Sequence, residues 1–365
     1  MLKVSASEVP KAIIDLRIKK LKKAMTRLGS RSLLISQPEN VQYITGFRAV
    51  GNPPKSSWVL VLEDREEVYL LVPALEYYEA EEEVRTAKVV KLSRDKSTIE
   101  GLIDFLIEVR APEPIYVDGL HDYNLVEALR RRFGELKSMQ PVLEDMRAKK
   151  DEYEVLCIKE AIRKTAKGME RVQEVLREGM KETHLLAEIE KALWEEDIDG
   201  LAFDIIVASG SRSSYPHAKP SARRIGRGDS VVVDIGVRVQ GYCSDITRTF
   251  IVGSNQEVER ALACVIEVQN AVALDVKSGI RASDLNARAR RLLEREGLHE
   301  YFLHGLGHGL GLSVHEKPSI SSLSEDILES GNVITLEPGV YIKGKFGVRH
   351  EDVFLVVEKG CVKLS

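Results

Sequence analysis

The chain has 365 residues, 44% hydrophobic and 30% charged, long enough for two ordinary domains and too rich in apolar residues to be disordered. A formal net charge of −4 implies no basic face for nucleic acid, and no apolar run approaches the ~20 residues of a membrane helix. The opening MLKVSASEVPKAIIDLRIKK holds no signal-peptide core, and Cys157, Cys243, Cys264 and Cys361 form no CxxC pair, so a cytoplasmic protein with reduced cysteines is expected.

The first part of the chain alternates helical and strand patterns. Apolar residues at helical spacing (Ile14, Ile18, Leu21, Met25, Leu28) predict a helix over 11–28, with Gly29 as its stop. SLLIS (32–36), SWVLVLE (57–63), EVYLLVP (67–73) and IYVDG (115–119) read as strands. Helices are predicted near 74–84, 97–109 and 123–134. This alternation implies a layered α/β domain. The charged stretch MRAKKDEYE (146–154) marks a change of texture, and the chain divides into a domain of residues 1–147 and another of 148–365. A long helix is predicted from there to about residue 178, a second after Thr183 as N-cap, and two more over 256–277 and 284–296. Strand patterns cover 203–208, 230–238, 242–252, 332–342 and 347–357. There is no low-complexity segment and no short tandem repeat.

Two candidate hairpins carry carboxylates where apolar residues belong. In SVVVDIGVRVQGYCSDITRTFIV (230–252), Asp234 interrupts a valine run and Asp245 sits in a second β-rich strand. A turn near residues 238–241, folding between Val239 and Gln240, would set the two aspartates opposite each other, Cβ atoms ~5 Å apart. In NVITLEPGVYIKGKFGVRHEDVFLVV (332–357), a turn centred on Gly344 would oppose Glu337 and Glu351. Like charges facing each other are destabilising. Three explanations stand: solvated strands, an acid pair sharing a proton, or a cation site in which two divalent ions balance four carboxylates.

HGLGHGLGLSVHE (304–316) adds three histidines and four glycines in thirteen residues. The glycine spacing does not match a dinucleotide loop, and glycines between His304 and His308 disfavour a zinc-binding helix. No G-x-S-x-G elbow occurs, although a Cys–His or Ser–His pair and purely structural histidines stay open. In a domain with four such carboxylates, the fitting reading is one histidine ligating metal and the others moving protons or binding substrate. A histidine among the ligands favours Mn, Co, Fe or Zn over Mg or Ca. The glycines would let a substrate lie close to the backbone.

The ordered set Asp234, Asp245, His308, Glu337 and Glu351, in the contexts VDIG, SDITRTF, HGLGHGLGL-VHE, LEPGVYI and VRHED, resembles the pita-bread dinuclear metallopeptidases. With NVQYITGF (40–47), the chain looks most like the proline-specific branch, Xaa-Pro dipeptidase (prolidase) and aminopeptidase P. The resemblance covers essentially the whole chain. It implies a creatinase/prolidase-like α/β N-terminal domain followed by an α+β pita-bread catalytic domain, a homodimer, and two divalent metal ions per subunit, Mn or Co first, Zn or Fe next. The implied substrate is an Xaa-Pro dipeptide, or the N-terminal Xaa-Pro of a longer peptide, cut by a hydroxide bridging the metals. A non-catalytic peptide-binding relative would lack metal ligands, and all five are present.

Carried over residue by residue, the resemblance gives Asp234 to one metal, Asp245 and Glu351 to both, and His308 and Glu337 to the second. Glu337 would also shuttle the proton to the leaving proline nitrogen. His217, in SYPHAKPS, would lie near the substrate, His315 would stabilise the tetrahedral intermediate, and His304 would support the ligands. Tyr341 and Arg349 would line the site. One departure bears on specificity. Dipeptidases of this family often hold the substrate carboxylate with an arginine shortly after VHE. Here residues 317–335 offer Lys317 alone, Ser319 and Leu323 are uncharged, and Arg349 is the candidate replacement.

Overall fold

The computed structural model describes residues 9–51, 53–119 and 122–365. The chain divides into two compact units, one ending at Arg147 and one beginning at Ala148.

The first unit is an α/β layer. In chain order it contains α1 (Lys11–Leu28), β1 (Ser32–Ile35), α2 (Pro38–Thr45), β2 (Trp58–Leu62), β3 (Val68–Val72), α3 (Tyr77–Glu83), β4 (Lys88–Lys91), α4 (Thr98–Glu108), β5 (Ile115–Val117), α5 (Tyr123–Phe133), β6 (Leu136–Ser138) and α6 (Gln140–Ala148). The strands form one mixed sheet in the order β4-β3-β2-β1-β5-β6. Side chains alternate across a strand. Leu34, Leu60, Leu62 and Leu71 therefore pack on Leu102 and Leu106 of α4 and Leu125 and Leu129 of α5. Leu33, Ile35, Val59 and Val61, on the other face, are equally buried. NVQYITGF ends α2 at Gly46, whose φ of 79° requires glycine. Its Asn40 bonds Asp118 and Arg147 (3.0 and 3.1 Å), and Tyr43 donates to Met146 O (3.1 Å), so the motif organises this unit's interior.

The second unit is built twice. Its first half runs α7 (Glu152–Val175), α8 (Glu182–Trp194), β7 (Gly200–Leu201), β8 (Ile206–Ser209), β9 (Ser230–Ile235), β10 (Val237–Val239), β11 (Tyr242–Cys243) and β12 (Ile246–Ile251). The second runs α9 (Gln256–Ala273), α10 (Ala282–Arg295), β13 (Gly307–Gly309), β14 (Glu316–Ile320), β15 (Val333–Leu336), β16 (Gly339–Ile342), β17 (Phe346–Arg349), β18 (Asp352–Val357) and β19 (Gly360–Lys363). The sheet order β8-β9-β12 in the first half recurs as β13-β15-β18 in the second. Asp151 and Asn255 cap α7 and α9 with their side chains. Lys181 and Arg281 precede α8 and α10, each with its backbone in an isolated bridge, to Arg224 and Ile327. Those bridges explain why both second helices start earlier than Thr183 and Ser283 predict. α7 and α9 likewise end short of the predicted 178 and 277, because the chain must turn to reach the bridges. In the second half, the apolar face of α9 and α10 (Val258, Val265, Val272, Leu285, Leu293) packs on Ile334, Leu336, Phe354 and Val356.

Each of the four long strands predicted in the hairpins is interrupted at a carboxylate or within two residues of one. The breaks fall at Gly236, at Ser244–Asp245, at Glu337–Pro338 and at His350–Glu351. The second hairpin has the expected register: Val333 faces Leu355 and Gly339 faces Arg349, which sets Glu337 against Glu351. The first does not. Gln240 (φ 51°) and Gly241 (φ 77°) form a two-residue turn with both central residues left-handed, as a tight hairpin requires. The fold-over therefore lies between them, one position later than expected. Asp234 faces Thr247, and Asp245 sits two residues along the same face, diagonal to Asp234.

The glycines of the histidine-rich run also have a packing role that the sequence did not suggest. A Cβ on Gly307 would lie 2.0 Å from Thr335 O, one on Gly309 2.1 Å from Lys317 O, and one on Gly311 2.3 Å from the Glu316 carboxylate. They let β13 fit between its neighbouring strands. Gly307→Ala is expected to lower stability by about 1–3 kcal/mol, the usual cost of overpacking, read by urea unfolding against the parent chain.

Candidate metal centre

The duplicated halves bring their carboxylates together. Asp234 is the penultimate residue of β9, Asp245 precedes β12, Glu337 follows β15 and Glu351 precedes β18. All four line one cavity of about 780 Å³, with His308 from β13. Ligand atoms of Asp245, His308 and Glu351 lie within 4.8 Å of one another. His308 Nε2 is 3.6 Å from Asp245 Oδ2 and 3.5 Å from Glu337 Oε1. His217, His304, His315 and Arg349 line the same cavity. Tyr341 reaches it through hydrogen bonds, its hydroxyl 3.0 Å from His304 Nε2 and 2.8 Å from Arg349 Nη1.

The electrostatics call for cations. Burial, reinforced by the neighbouring carboxylates, pushes the Asp245 and Glu337 carboxyls well above their usual range. Burial and the Asp234 charge push Glu351 up to about 8. Four carboxyls this close cannot all ionise without added positive charge. Burial holds the imidazoles neutral, His308 down to about 3 and His304 to about 4, so they offer lone pairs instead of charge. A buried cation facing the carboxylates, Arg349, is bound to Asp234 Oδ2 at 2.5 Å. Asp234 Oδ1 and Glu351 Oε1 are buried with no hydrogen-bond partner. Unpartnered carboxylate oxygens of this kind are costly in a protein interior. Carboxylate oxygens and one neutral imidazole are the donor set of a divalent transition-metal site.

Thr247 was not singled out by the sequence reading. Its hydroxyl donates to Glu351 Oε2 (2.8 Å) and accepts from Arg349 Nε (3.0 Å). It is the residue facing Asp234, so the true register of the first hairpin is the signal that finds it. The pair of Lys150 and Glu316 was missed too: Lys150 Nζ is 2.7 Å from Glu316 Oε1, buried, and fixes the chain beside His315. Separation by 166 residues in sequence hid it.

Residues 156–358 match metallopeptidase family M24, and residues 17–149 match the creatinase/prolidase N-terminal domain. An Xaa-Pro dipeptidase of Pyrococcus horikoshii is 36% identical over 97% of this chain and 97% of its own length. The solved prolidase of Pyrococcus furiosus is 36% identical, covers 94% of this chain and 98% of its own, and superposes with a TM-score of 0.85. An X-Pro aminopeptidase of Thermotoga maritima is 32% identical with the same TM-score, covering 96% of this chain and 97% of its own. The chain belongs to metallopeptidase family M24. It has the expected fold class, a creatinase-type N-terminal domain with a pita-bread catalytic domain, and the family's chemistry rests on divalent metal ions. Among the described residues, no helix is long and apolar enough to cross a membrane.

Thr247→Val keeps the side chain's shape and leaves buried Arg349 Nε and Glu351 Oε2 each short of a hydrogen bond. A stability loss of about 1–3 kcal/mol is expected, measured by urea unfolding of the metal-stripped protein.

Proposed function

We propose that this chain hydrolyses the Xaa-Pro peptide bond of dipeptides, with two divalent cations, manganese or cobalt, held by Asp234, Asp245, His308, Glu337 and Glu351. Zinc or iron would suit the same donors. The observation that carries the reading is the convergence of four buried carboxylates and one neutral imidazole on a single cavity, with two carboxylate oxygens unpartnered. The proline specificity rests on the likeness to proteins named Xaa-Pro dipeptidase and prolidase. Asp234, Asp245, His308, Glu337 and Glu351 would hold the ions between them, the carboxylates balancing their charge and His308 adding one neutral nitrogen donor.

When bound, divalent cations supply Lewis acidity that brings the pKa of a water to about 7 and makes it a nucleophile at neutral pH. Glu337 would accept a proton from the attacking water at its carboxylate and deliver it to the proline nitrogen as the C–N bond breaks. That nitrogen is a tertiary amide without N–H, so it needs a proton supplied from outside and a wall that accepts its ring. Phe203, Ile205 and Val314 give the cavity such an apolar wall. His315, exposed to the cavity with its ring centroid 4.2 Å from that of His308, donates to the carbonyl oxygen as negative charge develops. His217, on the segment after Tyr215, orients the substrate. His304, Tyr341 and Arg349 hold one another and Asp234 in place.

Arg349, the candidate clamp for the substrate carboxylate, lines the cavity but is largely committed to protein partners. Its guanidinium is engaged by Tyr341, Thr247, Asp234 and Pro216 O. Lys219, an exposed residue lining the cavity whose Nζ lies 3.6 Å from Asp204, is a second cation that can meet a dipeptide's carboxylate. The absence of an arginine from 317–335 favours a second reading, an aminopeptidase acting on longer peptides.

Dialysis against chelator should abolish cleavage of Ala-Pro, and manganese or cobalt should restore it; activity indifferent to metal would falsify the mechanism. Cleavage of Ala-Pro-Gly but not Ala-Pro would assign the longer-peptide reading. Asp245→Asn or Glu351→Gln should lose activity together with bound metal, counted by elemental analysis. His315→Ala should keep both metals and lose about a hundredfold in kcat, the usual effect of removing one oxyanion donor. A full rate in that variant would refute its role.

A further inference from the structure

The two helices that open the two halves each send one buried polar side chain to the strand breaks that carry the carboxylates. On α9 this is Gln269, 1% exposed in the face that otherwise presents Val258, Val265, Val268 and Val272. Its Nε2 donates to Leu336 O (2.8 Å) and to His350 O (3.3 Å). Leu336 directly precedes Glu337, and His350 directly precedes Glu351.

The need for this side chain follows from the local sequence. Pro338 and His350 face each other in the register that sets Gly339 against Arg349. His350 N donates to Pro338 O at 3.3 Å. The reciprocal bond of such a pair is impossible, because proline has no N–H. His350 O is therefore left without a strand donor, and the amide of Gln269 supplies one. The second N–H of the same amide ties down Leu336 O across the break. One planar group thus fixes the backbone entering both glutamates.

The first half repeats the device with different chemistry. Thr165 stands at the same distance from the N-cap of α7 as Gln269 does from that of α9, and it is fully buried. Its Oγ1 lies 2.6 Å from Ser244 Oγ, and Ser244 directly precedes Asp245. Ser244 Oγ accepts from Val237 N (3.0 Å), which holds the two sides of that break together. Thr165 therefore reaches the residue before Asp245 as Gln269 reaches the residue before Glu351.

We infer that Gln269 and Thr165 are positioning residues of the metal centre, each fixing from its helix the backbone that aims the carboxylates of its half. Neither touches substrate or metal. The inference rests on the metal-site reading above, and its test reads metal binding directly, without substrate. Manganese is titrated calorimetrically into the chelator-stripped full chain, and bound metal is counted after dialysis. Gln269→Met matches the length and removes both donors; Thr165→Val matches the shape and removes the hydroxyl; Thr165→Ser restores it. The expected result is manganese affinity about 10- to 100-fold weaker in Gln269→Met and Thr165→Val, as for other outer partners of metal ligands, with affinity recovered in Thr165→Ser. Should Gln269→Met not fold, the Thr165 pair alone decides. Parental affinity and stoichiometry in the folded Met or Val variant would overturn the inference, whatever its melting temperature. A parent chain that binds no manganese would overturn the metal-site reading and this inference with it.

Discussion

Four carboxylates facing one another inside a protein is the constraint from which the rest of this site follows. Each would be solvated and harmless on a surface, but buried together they repel and lose hydration. Arg349 offsets part of the charge at Asp234, Thr247 bonds one oxygen of Glu351, and two oxygens still have no protein partner. The surroundings are arranged to keep this unfavourable cluster in place. The neutral imidazole of His308, the Tyr341–Arg349–His304 chain and the buried Lys150–Glu316 pair beside His315 immobilise the groups around it. Such rigidity suits the cation site proposed for this cavity, whose geometry would be set in advance.

The duplication of the catalytic unit makes this arrangement accessible. One helix pair and one three-stranded order give an aspartate pair, and their repeat gives a glutamate pair. In each half a broken strand frees the backbone so that a carboxylate can turn into the shared cavity. The breaks leave main-chain polar groups that regular pairing would have satisfied; Gln269 takes up that role in the second half, and the Ser244 hydroxyl, paired with Thr165, does so in the first. Metal site, strand breaks and helix faces are therefore parts of one solution.

Much of this was legible in the chain. The valine-rich runs around Asp234 and Glu351 marked the strands, and buried carboxylates in them marked the site. The second hairpin could be registered from sequence because its loop around Gly344 is symmetric about the turn. The first could not be registered to the residue, because the two-residue turn at Gln240 and Gly241 moves the pairing by one position, and a glutamine in a left-handed conformation leaves no strong signal. Helix starts were misplaced where Lys181 and Arg281 pair with distant backbone, an interaction local periodicity cannot see.

The sequence by itself determined the chemistry available: which side chains carry oxygen and nitrogen donors, in what order, and on which strand patterns they sit. Side-chain type and spacing are local properties, and they identify the family's motifs. Only the tertiary structure decided which donors share a cavity, that Arg349 is tied to Asp234, Thr247 and Tyr341, and that Gly307, Gly309 and Gly311 serve close strand packing. It also brought Thr247 to Glu351 and Gln269 to the break at Pro338. These are contacts between residues far apart in the chain, set by sheet register and helix packing, and no local pattern encodes them.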